Sequence, residues 1–150
     1  MVKETTAEQA LRALEAFVGE WDMTSSVTPG PAEAPRARTT LEWLSGRRFL
    51  VQRWEVEHPG APDGIAVIGF DSDRAIYLQH YFDSRGVARV YEMTFAHHTW
   101  TLVRLAAKPD FSQRFTGTFT DHDTIVGRWE ISNDGSEWVD DFGLTYTRVG

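Results

Sequence analysis

Five polar or ionisable side chains, His80, Arg89, Tyr91, Gln113 and Asp140, fall among apolar residues in alternating stretches of the sequence. In 75–82, Ile76, Leu78, His80 and Phe82 share the more apolar side, opposite Tyr77, Gln79 and Tyr81. In 87–95 the set is Val87, Arg89, Tyr91, Met93 and Phe95. In 111–119, Gln113 travels with Phe111, Phe115 and Phe119, and in 137–146, Asp140 travels with Trp138, Phe142, Leu144 and Tyr146. A polar group in such a setting carries a cost unless it is paired or meets ligand or water. Arg89 and His80 have the chemistry to hold the anionic end of an apolar molecule, helped by Tyr91, Gln113 and Arg104. Alternatively, His80 or Asp140 serves as general acid or base, and Arg89 stabilises developing negative charge in a cofactor-free isomerisation or cyclisation. The plainest alternative is an Arg89–Asp140 ion pair among rim waters.

The other histidines offer less. His97 and His98 sit at one tight turn, His122 at another, and His58 in a Pro/Gly loop. Without an inward carboxylate nearby they read as solvated turn residues, so no metal site is expected. Asp71-Ser-Asp73 and Asp121-His-Asp123 read as Asx turns rather than calcium loops. There is no Gly-x-Ser-x-Gly, phosphate loop, His-Glu-x-x-His or dinucleotide fingerprint.

These side chains need elements to hold them. A capping box at Thr5/Glu8 or Thr6/Gln9 opens a helix over 5–18, with Ala10, Leu11, Leu14, Phe17 and Val18 as its apolar stripe. Everything beyond Gly19 reads as strand and turn. The strands fall at 21–27, 38–44, 48–56, 65–70, 75–82, 87–95, 99–105, 111–119, 124–131 and 137–146. Turn residues separate them, as at Ser45-Gly46, Asp83-Ser-Arg-Gly86 and Asn133-Asp-Gly135. About ten short strands in a meander predict an all-β fold: a closed up-and-down antiparallel barrel with the N-terminal helix plugging an end. A two-sheet sandwich is the alternative. Residues 1–150 form one domain, with the barrel over 20–148.

Loop lengths give the barrel a direction. The Pro29–Pro35, His58–Gly64 and Ala106–Asp110 connections share one end, while short turns and the helix share the other. The looped end is then the open mouth of a cup. Turn geometry checks the facing of each strand. An Asp134-Gly135 loop sets Trp129 opposite Asp140. A Ser84-Arg85 loop sets His80 opposite Arg89, unless a bulge at Gly86 shifts the pairing by one. A His97-His98 loop turns Trp100 and Arg104 inward. Leu50, Gln52, Trp54 and Val56 are favoured inward, and the facing of Glu42 is left open. Trp54, Trp100, Trp129 and Phe115 are the expected walls.

Gly19-Glu-Trp21 lies where helix meets first strand, and Arg148 ends the last strand, so an Arg148–Trp21 cation–π seal is expected at the plugged end. This arrangement resembles the calycin superfamily of lipocalins, fatty-acid-binding proteins and nitrobindin-like barrels. Gly46-Arg-Arg-Phe-Leu50, Gly69-Phe-Asp71, Phe82-Asp-Ser84 and Leu144-Thr-Tyr-Thr-Arg148 look like a family of short bacterial calycin-like domains without assigned function. The resemblance implies a ligand-holding barrel. Nitrobindin-like proteins bind haem through a histidine near the chain's end, and 140–147 here has none, so no cofactor is expected.

Composition bounds the partners. Fifteen Lys plus Arg against 22 Asp plus Glu give a net charge of −7, which argues against nucleic acid and anionic membranes. Absence of cysteine removes disulfides, thiolate metal sites and thiol nucleophiles. No apolar run reaches membrane-spanning length and no signal-peptide core is present, so a cytoplasmic location is expected. A small apolar or amphipathic molecule is the expected partner. With 13% aromatics, a lumen filled by its own rings and acting through a partner or homodimer is a third reading.

Overall fold

Period-two alternation from Gly19 to Arg148 is what a barrel wall requires, because each strand must show one side to the lumen and one to solvent. The structure, a computed structural model, describes residues 6–26, 36–57, 61–106 and 110–149. Helix α1 (Thr6–Ala13) runs into a 3-10 turn at Leu14–Phe17. Ten strands follow: β1 (Gly19–Ser26), β2 (Arg36–Trp43), β3 (Leu50–Val56), β4 (Gly64–Asp71), β5 (Ile76–Asp83), β6 (Ala88–Ala96), β7 (Thr99–Arg104), β8 (Ser112–Asp121), β9 (Thr124–Ser132) and β10 (Val139–Arg148). Each pairs antiparallel with its neighbours in sequence, and β10 closes on β1. The expected closed barrel is therefore the fold, and the sandwich is not. Thr5, the Pro29–Pro35 loop, His58 and residues 107–109 lie outside the described residues.

The helical segment closes the short-turn end. Leu14 and Phe17 are fully buried, and the Phe17 ring meets Phe95, Trp100 and Phe119 at centroid distances of 4.8, 5.0 and 5.3 Å. The Tyr77 hydroxyl donates to the Ala10 carbonyl at 2.6 Å, tying α1 to β5. Beside the plug, the Arg148 guanidinium stacks 4.1 Å from the centroid of the buried Trp21 ring. It also donates to the Val18 carbonyl at 2.6 Å and the Ala16 carbonyl at 3.0 Å, and it pairs with Asp123. Gly19 explains its own place in the motif. Its φ is +138°, and a Cβ there would stand 2.6 Å from Arg148 Nη1.

Two facings differ from the sequence expectation. Inward on β5 are Tyr77, Gln79 and Tyr81, and His80 is exposed on the outer side. The cause is the β5–β6 turn. Asp83 N–H donates to the Val87 carbonyl at 3.1 Å and Gly86 N–H to the Asp83 carbonyl at 2.9 Å, with Gly86 at φ +85°. Three residues, not two, form the loop, and the register becomes Tyr81↔Arg89 and His80↔Val90. The second is Asp140. It lies opposite Glu130 and is exposed in an ion pair with Arg128, because a β-bulge at Asp141 separates it from the Phe142↔Trp129 pair. The open question on β2 resolves outward: Glu42 is exposed and pairs with Arg53.

Candidate functional site

A cavity of about 500 Å³ occupies the mouth half of the barrel. That volume is in the range of small-molecule pockets. It lies on the end of the barrel away from the helix, as the loop asymmetry led us to expect. Of the residues singled out in the sequence, Arg89, Tyr91, Gln113, Trp54, Trp100, Trp129 and Phe115 line it. Arg104 joins them through Gln113. His80 and Asp140 do not. The acid–base pair of the enzymatic reading therefore points away from the cavity, and the Arg89–Asp140 ion pair is absent.

The polar part of the site is built around one oxygen. Gln113 Oε1 accepts hydrogen bonds from Tyr91 Oη at 2.8 Å, Arg89 Nη1 at 3.1 Å and Arg104 Nε at 3.4 Å. The same two guanidiniums flank the Phe111 ring, at 5.4 Å for Arg89 and 5.6 Å for Arg104. Adjacent strands explain the convergence. Arg104 and Gln113 face each other across β7 and β8, and the His97-His98 turn places β6 and β7 so that Tyr91 is one step away. That turn has both histidines at positive φ, 53° and 64°, as a two-residue hairpin loop requires.

The two cations are not equivalent. Arg104 carries its own counter-charge: Asp110 pairs with it at 3.0 Å, and the Phe111 carbonyl accepts from Nη2 at 2.8 Å. The Arg104 hydrogen bonds hold the Asp110 carboxyl below the usual range. Arg89 has no carboxylate within ion-pair distance among the described residues, and its bond to Gln113 uses one of five N–H donors. Asp110 feels the Arg89 charge at longer range, but the unused N–H donors of Arg89 beside an apolar cavity have the chemistry to take an anion. Burial pushes the Tyr91 hydroxyl upward, so it stays protonated and able to donate.

Below this ring the walls are aromatic. Trp54 and Tyr81 stack at 5.4 Å, Phe115 meets Trp129 at 5.2 Å, and Trp100 meets Phe115 at 4.9 Å. Trp54 Nε1 donates to the Pro62 carbonyl at 3.2 Å, fixing the ring under the β3–β4 connection. The Trp100 indole N–H is buried without a partner. Gln79, Tyr81, Arg85 and Asp141 also line the cavity, and the sequence reading missed all four. Asp83-Ser-Arg-Gly86, read as a three-residue loop ending on a left-handed glycine, is the signal that would have found the first two. At the rim Tyr81 Oη donates to Asp83 at 2.6 Å, and Arg85 pairs with the same carboxylate at 2.7 Å. Hydrogen bonds from Arg85 hold Asp83 well below the usual carboxylate range.

No histidine among the described residues lines the cavity, so it presents no imidazole to a haem iron. Among those residues, no three His, Asp or Glu side chains converge for a metal, and no helix is long and apolar enough to cross a membrane.

The sequence matches, over residues 6–148, a family described as proteins of unknown function, DUF1579. The chain belongs to that family. A crystal structure of Rv2717c from M. tuberculosis is similar to it, with a TM-score of 0.62 at 12% identity over 94% of this chain and 98% of that one. At that identity the likeness is one of fold. A protein of unknown function from the DUF3598 family of Nostoc punctiforme aligns over 99% of this chain and 100% of its own, at 9% identity and a TM-score of 0.30, and carries no argument. No curated protein matches.

Proposed function

We propose that this DUF1579 protein is a cytoplasmic, calycin-like binding barrel whose lumen holds a small amphipathic molecule without a cofactor. The ligand's apolar body lies against Trp54, Trp100, Phe115 and Trp129, and its anionic or polar end reaches Arg89. The observation that carries this reading is Arg89 itself. It is a cation held by Gln113 at the edge of an aromatic cavity, with no carboxylate paired to it among the described residues. The cavity volume stands against a lumen filled by its own rings. The Gly19–Trp21–Arg148 seal supports the calycin-like assignment.

Native mass spectrometry of freshly purified protein tests the reading. The expected result is a bound species that organic extraction releases as an acid or other anion. A lumen that stays empty when the protein is offered long-chain carboxylates and aromatic acids would count against it.

A further inference from the structure

The facing of β5 that misleads the sequence reading has matches on its neighbours. Ile76, Leu78, His80 and Phe82 point away from the lumen, and level with His80 on the same outer side stand Val67, Val51 and Val90. One row nearer the mouth run Arg53, Ile65, Phe82 and Ala88. One row nearer the plug, the Phe49 ring lies over Gly69, beside Leu78 and Glu92. Phe49, Phe82 and Val90 are 47%, 45% and 48% exposed, Ile65, Val67 and Leu78 between them are half-buried, and Val51 at the edge is buried. On the opposite wall the exposed Val126 of β9 is flanked by Thr118 and Thr145, and the other outer positions include Thr116 on β8 and Glu20 and Asp22 on β1. Antiparallel strands facing water are ordinarily polar on that side, and a contiguous exposed apolar patch marks an interaction surface.

Charge at the corners of the patch selects the occupant. Arg53, paired with Glu42, holds one corner, and Glu92, paired with Arg74, holds the diagonally opposite one. Phe49 and Ala88 hold the remaining corners and carry no charge. Strands about 4.8 Å apart and same-side residues about 6.8 Å apart make the patch roughly 14 Å each way, so its diagonals run near 45° to the strands. A half-turn about the Phe49–Ala88 diagonal lays a second copy face down on the patch. Its Glu92 then meets Arg53, its Arg53 meets Glu92, and the strands cross near a right angle, a favoured packing of two sheets. The patch is thus complementary to itself, as an isologous interface requires.

We infer that the outer face of β3–β6 is the interface of a homodimer, with His80 near its centre. The ligand cavity is not involved. Sedimentation of the 150-residue chain tests this. Wild type is expected as a dimer at about 100 µM, and Val90→Lys and Phe82→Lys as folded monomers by circular dichroism, with His80→Glu replacing either that fails to fold. Arg53→Glu and Glu92→Arg should each weaken association at least tenfold, and the double exchange should recover most of the loss. Arg89→Ala should leave assembly unchanged. A monomeric wild type overturns the inference, even one that binds vesicles or another protein. So does a dimer indifferent to Val90→Lys, and a double exchange no better than the single ones overturns the diagonal pairing.

Discussion

Arg89 and the four tyrosines set the chemistry at residue scale. Burial is the main cause that raises Tyr77, Tyr81, Tyr91 and Tyr146 above the usual phenol value, and these are all the tyrosines of the chain. A group whose folded value is raised stabilises the fold fully below its unfolded value. That contribution is lost as pH rises through the folded value. Spectrophotometric titration of native protein should therefore show almost no tyrosinate at about pH 10, with ionisation arriving only as the barrel opens at higher pH. Ordinary titration of even two tyrosines in native protein would contradict their burial. Arg89, Tyr91 and Gln113 were legible in the sequence because each interrupts an apolar alternation whose parity the structure keeps. His80 was misread by the same rule. The outer side of β5 is more apolar than its lumen side, so apolarity named the wrong face.

Turns decide the facing at the scale of elements, and they were legible where the loop length was unambiguous. His97-His98 supplied two residues between alternating strands, and the expected pairing of β6 with β7 followed. Asp83-Ser-Arg-Gly86 admits a two- or a three-residue loop, and the left-handed Gly86 selects the latter. Asn133-Asp-Gly135 concealed both a longer turn and the bulge before Phe142. Two non-glycine residues in left-handed backbone carry strain, so His97→Asn with His98→Gly should stabilise the barrel by about 1 kcal/mol, read as a higher urea midpoint. Asp134 organises the β9–β10 turn. Backbone N–H groups of Glu137 and Ser136, with the Ser132 hydroxyl, hold its carboxyl well below the usual range. A depressed folded value gives stability that is present above the unfolded value and lost as pH falls through the folded one. Asp134→Asn should therefore narrow the difference in urea midpoint between neutral pH and about pH 2. An unchanged difference would remove Asp134 from the acid response.

Closure was the most legible feature at the scale of the whole molecule. Ten alternating segments with short turns leave few ways to avoid exposed edges, and long connections on alternate turns showed which end is the mouth. The polar partners inside were harder to read, because pairing across β6, β7 and β8 depends on register rather than composition. The seal holds the two ends of the meander together. Arg148→Ala removes the stack on Trp21 and leaves the Ala16 and Val18 carbonyls without their donor. A loss of about 2 kcal/mol should lower Tm by roughly 4–8 °C, with ligand affinity little changed because the seal lies at the other end. In the proposed function the mouth recognises negative charge through Arg89 while the lumen takes the apolar remainder. Tryptophan fluorescence titration with a long-chain carboxylate and its methyl ester measures this directly. The wild type should bind the carboxylate at least tenfold more tightly than the ester, and Arg89→Ala should abolish the gap while ester affinity stays nearly constant. Equal affinities in the wild type, or a gap that survives Arg89→Ala, would contradict the account.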